Sequence, residues 1–161
     1  MRTAIIIAAV LIIAIAMAAC RCRGPKNPPP TGRLIEFNYV VSGTTIEPIQ
    51  EYRLKLLDNG QVSLSSTGMS APVPGKVTLD SAILGQVARI IVEHRMQDYK
   101  NSYQPRFEVL DGEQWHYSAI YDNEFSLYSG GHMAWPDDNG LQEICTLLDS
   151  CLFENRTEIS R

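Results

Sequence analysis

The sequence predicts an α+β domain: an antiparallel sheet of about six strands, in strand-strand-strand-helix order run through twice, with both helices packed on one face. Three observations carry this expectation. Apolar residues alternate with polar ones at period two around residues 34–41, 51–64 and 115–127. They recur at helical spacing in two later segments, 83–91 and 141–152. Turn-forming Asp-Asn-Gly and Asp-Gly sequences fall between alternating stretches.

The chain opens with a different kind of segment. Met1, Arg2 and Thr3 precede an apolar run from Ala4 to Ala19 that ends at Cys20. A basic start, an apolar stretch and small residues before a cut make an export signal. The competing reading, an uncleaved membrane-spanning helix, wants about 20 apolar residues, and this run falls slightly short. Arg21 and Arg23 directly after it resist translocation. Met17-Ala18-Ala19-Cys20 resembles the lipobox of bacterial lipoproteins, with Met17 where leucine is usual. That resemblance implies cleavage before Cys20, a diacylglycerol thioether and an acylated amine on Cys20, and a membrane partner reached through the lipid. Position 21 is arginine rather than the aspartate that holds such proteins at the inner membrane, which implies the outer membrane or cell surface. Residues 20–32, with Pro25, Pro28, Pro29 and Pro30, read as an extended, unpacked tether reaching roughly 30 Å.

A single domain is expected over residues 33–153, with a polar tail over 154–161. In its first strand, Ile35, Phe37, Tyr39 and Val41 share a face. In the second, Tyr52, Leu54 and Leu56 oppose Glu51, Arg53 and Lys55. The turn after it has an arguable register. A two-residue loop at Asn59-Gly60 would set Leu54 and Leu56 against serines, whereas a three-residue loop over 58–60 pairs Leu56 with Val62 and Leu54 with Leu64. Slipping by one residue flips a whole face, so the three-residue loop is predicted, with Gly60 left-handed. The same logic at Leu110-Asp111-Gly112 sets Phe107 opposite Trp115 with Gly112 left-handed. Trp115, Tyr117, Ala119 and Tyr121 then share a face, joined by Phe125 and Leu127 if the turn over 122–124 is also odd in length.

Asp80 is placed to cap a helix running to about Arg95, with Ile83, Val87, Ile90 and Ile91 as its buried stripe. Asp137 or Asp138 caps the second, which presents Leu141, Ile144, Cys145, Leu148 and Leu152. Segments 58–74 and 122–136 share Asp-Asn, a Ser-Leu strand, glycine, methionine, alanine and proline, the pattern of a tandem repeat with one gap.

Few residues invite chemistry. The net charge is −4, and removing residues 1–19 takes one of the 14 basic residues and none of the 18 acidic ones, leaving −5. A mildly acidic domain with scattered cations has no footprint for nucleic acid. Cys145 and Cys151 are separated by ~9 Å of helical rise, too far for a bridge, and pack as small hydrophobes. His94 falls on the first helix stripe, His116 on the strand face opposite Trp115 and His132 in a loop; their spacing matches no metal motif. Ser129-Gly130-Gly131 lacks the glycine before serine that a nucleophile elbow needs. No cofactor, metal or catalytic residue is assigned.

What remains is the segment Ser129, Gly130, Gly131, His132, Met133, Ala134, Trp135, Pro136, read as a loop joining the last strand to the last helix. Mobile, aromatic and polar groups on a rigid scaffold suit binding; the plainer reading has Trp135 folding back to cap the core. Asp111-Gly112…Trp115 followed by Gly130-Gly131…Ala134-Trp135-Pro136 resembles uncharacterised envelope lipoproteins of Bacteroidetes. Those show Asp-Gly-x-x-Trp on a hairpin, then a glycine and Ala/Tyr-Pro before a final helix. The resemblance covers the C-terminal third, implies an envelope lipoprotein without a known activity, and maps its usual polar residue onto His132. The function expected is a non-catalytic module binding an envelope protein or glycan through Ser129, Gly130, Gly131, His132 and Trp135. The alternatives are a periplasmic inhibitor of a hydrolase and an enzyme using acidic residues.

Overall fold

Alternating side chains become strands wherever a neighbour offers a matching apolar face. A computed structural model of the chain describes residues 27–107, 109 and 111–156; the expected signal segment, Cys20, Cys22, Glu108, Leu110 and most of the expected polar tail lie outside the described residues. The elements run β1 (Leu34–Ser42), β2 (Gln50–Leu56), β3 (Val62–Thr67), β4 (Gly75–Leu79), α1 (Ala82–Glu93), a 3-10 turn (Met96–Asp98), β5 (Ser102–Tyr103), β6 (Gln114–Tyr121), β7 (Ser126–His132) and α2 (Gly140–Arg156). All seven strands join one sheet in the order β4-β3-β2-β1-β6-β7-β5. Only β5 runs parallel to its neighbour, β7.

The α+β class is as expected, while the order of elements differs. Four strands, not three, precede α1, because residues 75–79 pair with β3 with Val77 against Leu64. The sheet therefore has seven strands, and the second half opens on the two-residue β5.

The first turn has the predicted register. Leu56 pairs with Val62 and Leu54 with Leu64, the Gly60 amide donates to the Leu57 carbonyl at 2.9 Å, and Gly60 is left-handed at φ +79°. The β6–β7 turn has the same length: Ile120 faces Ser126, and Glu124 supplies the left-handed residue at φ +68°. Leu127 joins the core, and Phe125 packs edge-on to Tyr121 at the rim. The two hairpins are alike; β3 then leads to β4 and β7 to α2, so the repeat stops at the hairpin.

Leu110 of the hairpin expected at 110–112 lies outside the described residues, and among those described no strand pairs Phe107 with Trp115. Phe107 is exposed, Gly112 is not left-handed, and Trp115 lies opposite Val41 of β1 and Gly131 of β7. β1 wins that place because Phe37, Tyr39 and Val41 present three apolar groups to Ala119, Tyr117 and Trp115 in register. At its start a bulge between Leu34 and Glu36 turns Leu34 inward and leaves Ile35 half-buried, reversing the expected assignment.

Both helices cover one face of the sheet, where strand and helix side chains form one core. The other face is polar, with Asn38 flanked by Arg53 and Ser118. Asp80 accepts the Ala82 amide at 2.7 Å to start α1, which buries the four predicted stripe residues and Leu84. Arg95, left-handed at φ +50°, ends that helix before the expected boundary. Asp138, rather than Asp137, accepts the Gly140 amide at 2.8 Å at the start of α2. That helix continues past Cys151, so Cys145 and Cys151 remain free, packed against the core.

The chain ahead of β1 is not an unpacked tether from Asn27 onward. Its side-chain amide donates to the Gln97 carbonyl at 2.9 Å and its backbone N–H to Asp98 at 3.0 Å. Asn123 reaches Thr31 at 3.1 Å, and Asp122 accepts the Arg33 amide at 2.9 Å. Residues 27–33 are thus a strap bound to the domain.

Candidate functional site

Register brings three connections to one end of the sheet: the β1–β2 loop, the β3–β4 loop, and the segment from β7 to α2. Val41 faces Gln50, Ser66 faces Gly75, and Ser42, Gln114 and His132 lie in one row. The strap enters from the opposite end, beside the 122–124 turn.

The sequence-predicted site divides at this end. Ser129, Gly130, Gly131 and His132 are not a loop but the last four residues of β7. β6 on one side and β5 on the other recruit them into the sheet. Ser129 is buried, its hydroxyl donating to the Lys100 carbonyl at 2.7 Å, and reaches no surface. The glycines serve close packing rather than turns. A Cβ on Gly131 would stand 2.4 Å from the Ala134 carbonyl oxygen and 2.6 Å from the Trp115 indole nitrogen. One on Gly130 would stand 2.8 Å from the Trp115 carbonyl oxygen. Gly130, Gly131 and His132 border a shallow polar hollow of about 420 Å³ with Gln114 and His116.

Trp135 belongs to a second cleft, of about 360 Å³, between the end of the sheet and the first turns of α2. The residues ahead of it are pinned. Met133 is left-handed at φ +49°, its amide donates to the Glu113 carbonyl at 2.9 Å, and the buried Trp115 indole donates to the Ala134 carbonyl at 2.7 Å. Trp135 lines this cleft beside the core residue Tyr39, its indole forming part of the wall, and 40% of its surface stays open.

Around it stand Gln50 from β2 and Asp138, Asn139 and Gln142 from the start of α2. Gln50 is oriented by donating to the Tyr52 hydroxyl at 2.7 Å, which in turn donates to Asp149 at 2.7 Å. Burial, then Asp149, pushes the Tyr52 hydroxyl well above the usual tyrosine range. Cys145 lines the cleft floor; burial first and Asp149 second push its thiol up to about 12, far from a reactive thiolate.

Asp138 is heavily engaged. Its Oδ1 accepts from the Tyr99 hydroxyl and the Gly140 amide and lies 3.7 Å from His94 Nδ1. His94 Nε2 meets Glu143 at 2.8 Å. The histidine sits at the C-terminal end of α1, where it ties that helix to the start of α2. Both carboxylates face this histidine; Asp138 also borders the Trp135 cleft and Glu143 the hollow between the helices. Gly140 permits the contact, since a Cβ there would stand 2.8 Å from His94 Cβ. The larger hollow between the helices, about 490 Å³, is bordered by Gln86, Arg89 and Gln142 and has no aromatic wall.

Of the predicted site residues only Trp135 reaches the cleft. Tyr39 reads from sequence as core, Asp138 as a cap, and Gln50 carries no sequence signal. Among the described residues no group of three His, Cys, Asp or Glu is placed to hold a metal ion, and no helix is long and apolar enough to cross a membrane. The cleft and fold define an α+β domain with an aromatic-walled, amide-lined depression at one end of its sheet. Neither protein-family models nor curated proteins contain a match to this chain.

Proposed function

We propose that the chain is a lipid-anchored cell-envelope protein whose domain is a non-catalytic binding module for a glycan or protein. The Trp135 cleft is its site. The observation that carries the reading is Trp135 itself: it follows the pinned Ala134 carbonyl and stays open over 40% of its surface on the wall of the cleft. A large aromatic held rigid and half-exposed gives contact area with little ordering cost on binding. The anchor half rests on Met17-Ala18-Ala19-Cys20, with the outer membrane or cell surface as its address.

Two measurements test this. Immobilised wild-type protein and a Trp135→Ala variant are challenged with solubilised envelopes, and the retained glycan and protein are compared. At least tenfold loss in the variant is expected; equal retention, with near-ultraviolet circular dichroism intact, removes the cleft from consideration. Separately, Cys20→Ser is expected to abolish palmitate labelling and release the protein from the membrane fraction. A labelled, membrane-bound variant overturns the anchor.

A further inference from the structure

We infer that the ligand of the Trp135 cleft is a neutral saccharide, which rests on the binding-module reading above and specifies its chemistry. No lysine, arginine or histidine lines the cleft, so nothing there balances a phosphate, a sulfate or an acidic peptide. Its single carboxylate, Asp138, already accepts from Tyr99 and Gly140 and stands beside His94. It is an oriented acceptor rather than a counter-ion awaiting a cation.

The remaining polar lining is amide: Gln50, Asn139 and Gln142. Each side-chain amide carries a donor and an acceptor, the combination that adjacent sugar hydroxyls, both donor and acceptor, require. One N–H of Gln50 Nε2 goes to the Tyr52 hydroxyl, which leaves the second N–H as a donor and the carbonyl oxygen as an acceptor. Trp135 supplies the other half of the match. Its ring, 40% exposed on the cleft wall, offers the cleft an apolar surface. A pyranose has one face of C–H groups to lay on such a ring and an equatorial belt of hydroxyls for the amides. A cleft of about 360 Å³ is at the small end for ligand sites, suited to one or two sugar rings.

The chain contains two tryptophans, and Trp115 is 1% exposed, so changes in quenchable emission report on Trp135. The full chain in detergent is titrated with maltotriose, chitotriose, mannotriose and laminaritriose, followed by calorimetry and by iodide quenching of emission. At least one is expected to bind at millimolar or better affinity, shield the emission from iodide, and keep its affinity between 0.05 and 0.5 M NaCl. Trp135→Ala is expected to weaken binding at least tenfold and Gln142→Ala roughly three- to tenfold. Should Trp135→Ala not fold, the Gln142→Ala and Asn139→Ala pair decides the same point. The inference is overturned if none of the four binds at 10 mM, or if binding survives these substitutions unchanged. Envelope capture that depends on Trp135 without saccharide binding would leave the module and replace its ligand with a protein segment. Loss of both removes the cleft altogether.

Discussion

Gly131 and Gly85 are the same residue in opposite settings. Gly131 abuts the Ala134 carbonyl and the Trp115 indole, so a methyl there pushes β7 away from β6 and unseats the segment that carries Trp135. Gly85 lies exposed within α1 with open space where its Cβ would go, and a glycine inside a helix costs backbone entropy. We expect Gly131→Ala to lower stability by about 2–3 kcal/mol and Gly85→Ala to raise it by about 0.5–1 kcal/mol. Urea midpoints at constant m-value check both; equal effects would refute the packing role given to Gly131. The tryptophans show the same dependence on setting. Trp115 is enclosed by β1, β7 and Tyr103, whose ring is 5.8 Å away, while Trp135 keeps an open side.

At the scale of elements, the strap from Asn27 to Arg33 changes what lies between an anchor and the fold. It is bonded to the 3-10 turn at one end and to the β6–β7 turn at the other, so it belongs to the domain. Asn27→Ala removes a partly buried bond to the Gln97 carbonyl, worth about 1 kcal/mol. Local opening of the strap should then rise roughly fivefold. Trypsin cleavage after Arg33, whose N–H and C=O are both bonded to Asp122, is the readout. An unchanged rate in the variant would mean that the strap does not hold the chain there. The expected reach of roughly 30 Å shortens accordingly, because the proline run 28–30 lies within the strap.

Over the whole molecule the unusual feature is a set of shielded tyrosine hydroxyls. Burial pushes Tyr39 and Tyr121 up to about 12. It pushes Tyr52, Tyr99 and Tyr117 higher still, with Asp149 and Asp138 adding to the rise at Tyr52 and Tyr99. Each folded value exceeds the ordinary value near 10, so the fold favours the neutral phenol. Their contribution is complete below pH 10 and is lost as pH climbs through 12, where the unfolded chain releases more protons than the native one. Alkaline unfolding between pH 10 and 12 is expected, with tyrosinate absorbance at 295 nm rising together with loss of the near-ultraviolet tryptophan signal. Ionisation of these five near pH 10 with the fold intact would contradict the packing described. The same architecture separates the two ends of the sheet: the strap enters at one, and the Trp135 cleft opens at the other.

Sequence alone determined what depends on near neighbours. Period-two alternation identified the inward faces of β2 and β6, and the cost of a one-residue slip selected the three-residue 58–60 turn. Helical spacing found both stripes, and Asp80 and the pair Asp137-Asp138 marked their starts. Tertiary structure decided what depends on pairing across the chain. It set β1 rather than residue 107 beside Trp115, drew residues 75–79 and 129–132 into the sheet, and turned Leu34 inward in place of Ile35. It also assembled Tyr39, Gln50 and Trp135 into one cleft from segments far apart in the chain. The physical reason is common to these cases. A turn or helix stripe is fixed by residues a few positions apart, whereas a strand's neighbour and a cleft's walls are chosen by competition among distant apolar faces, which no local pattern encodes.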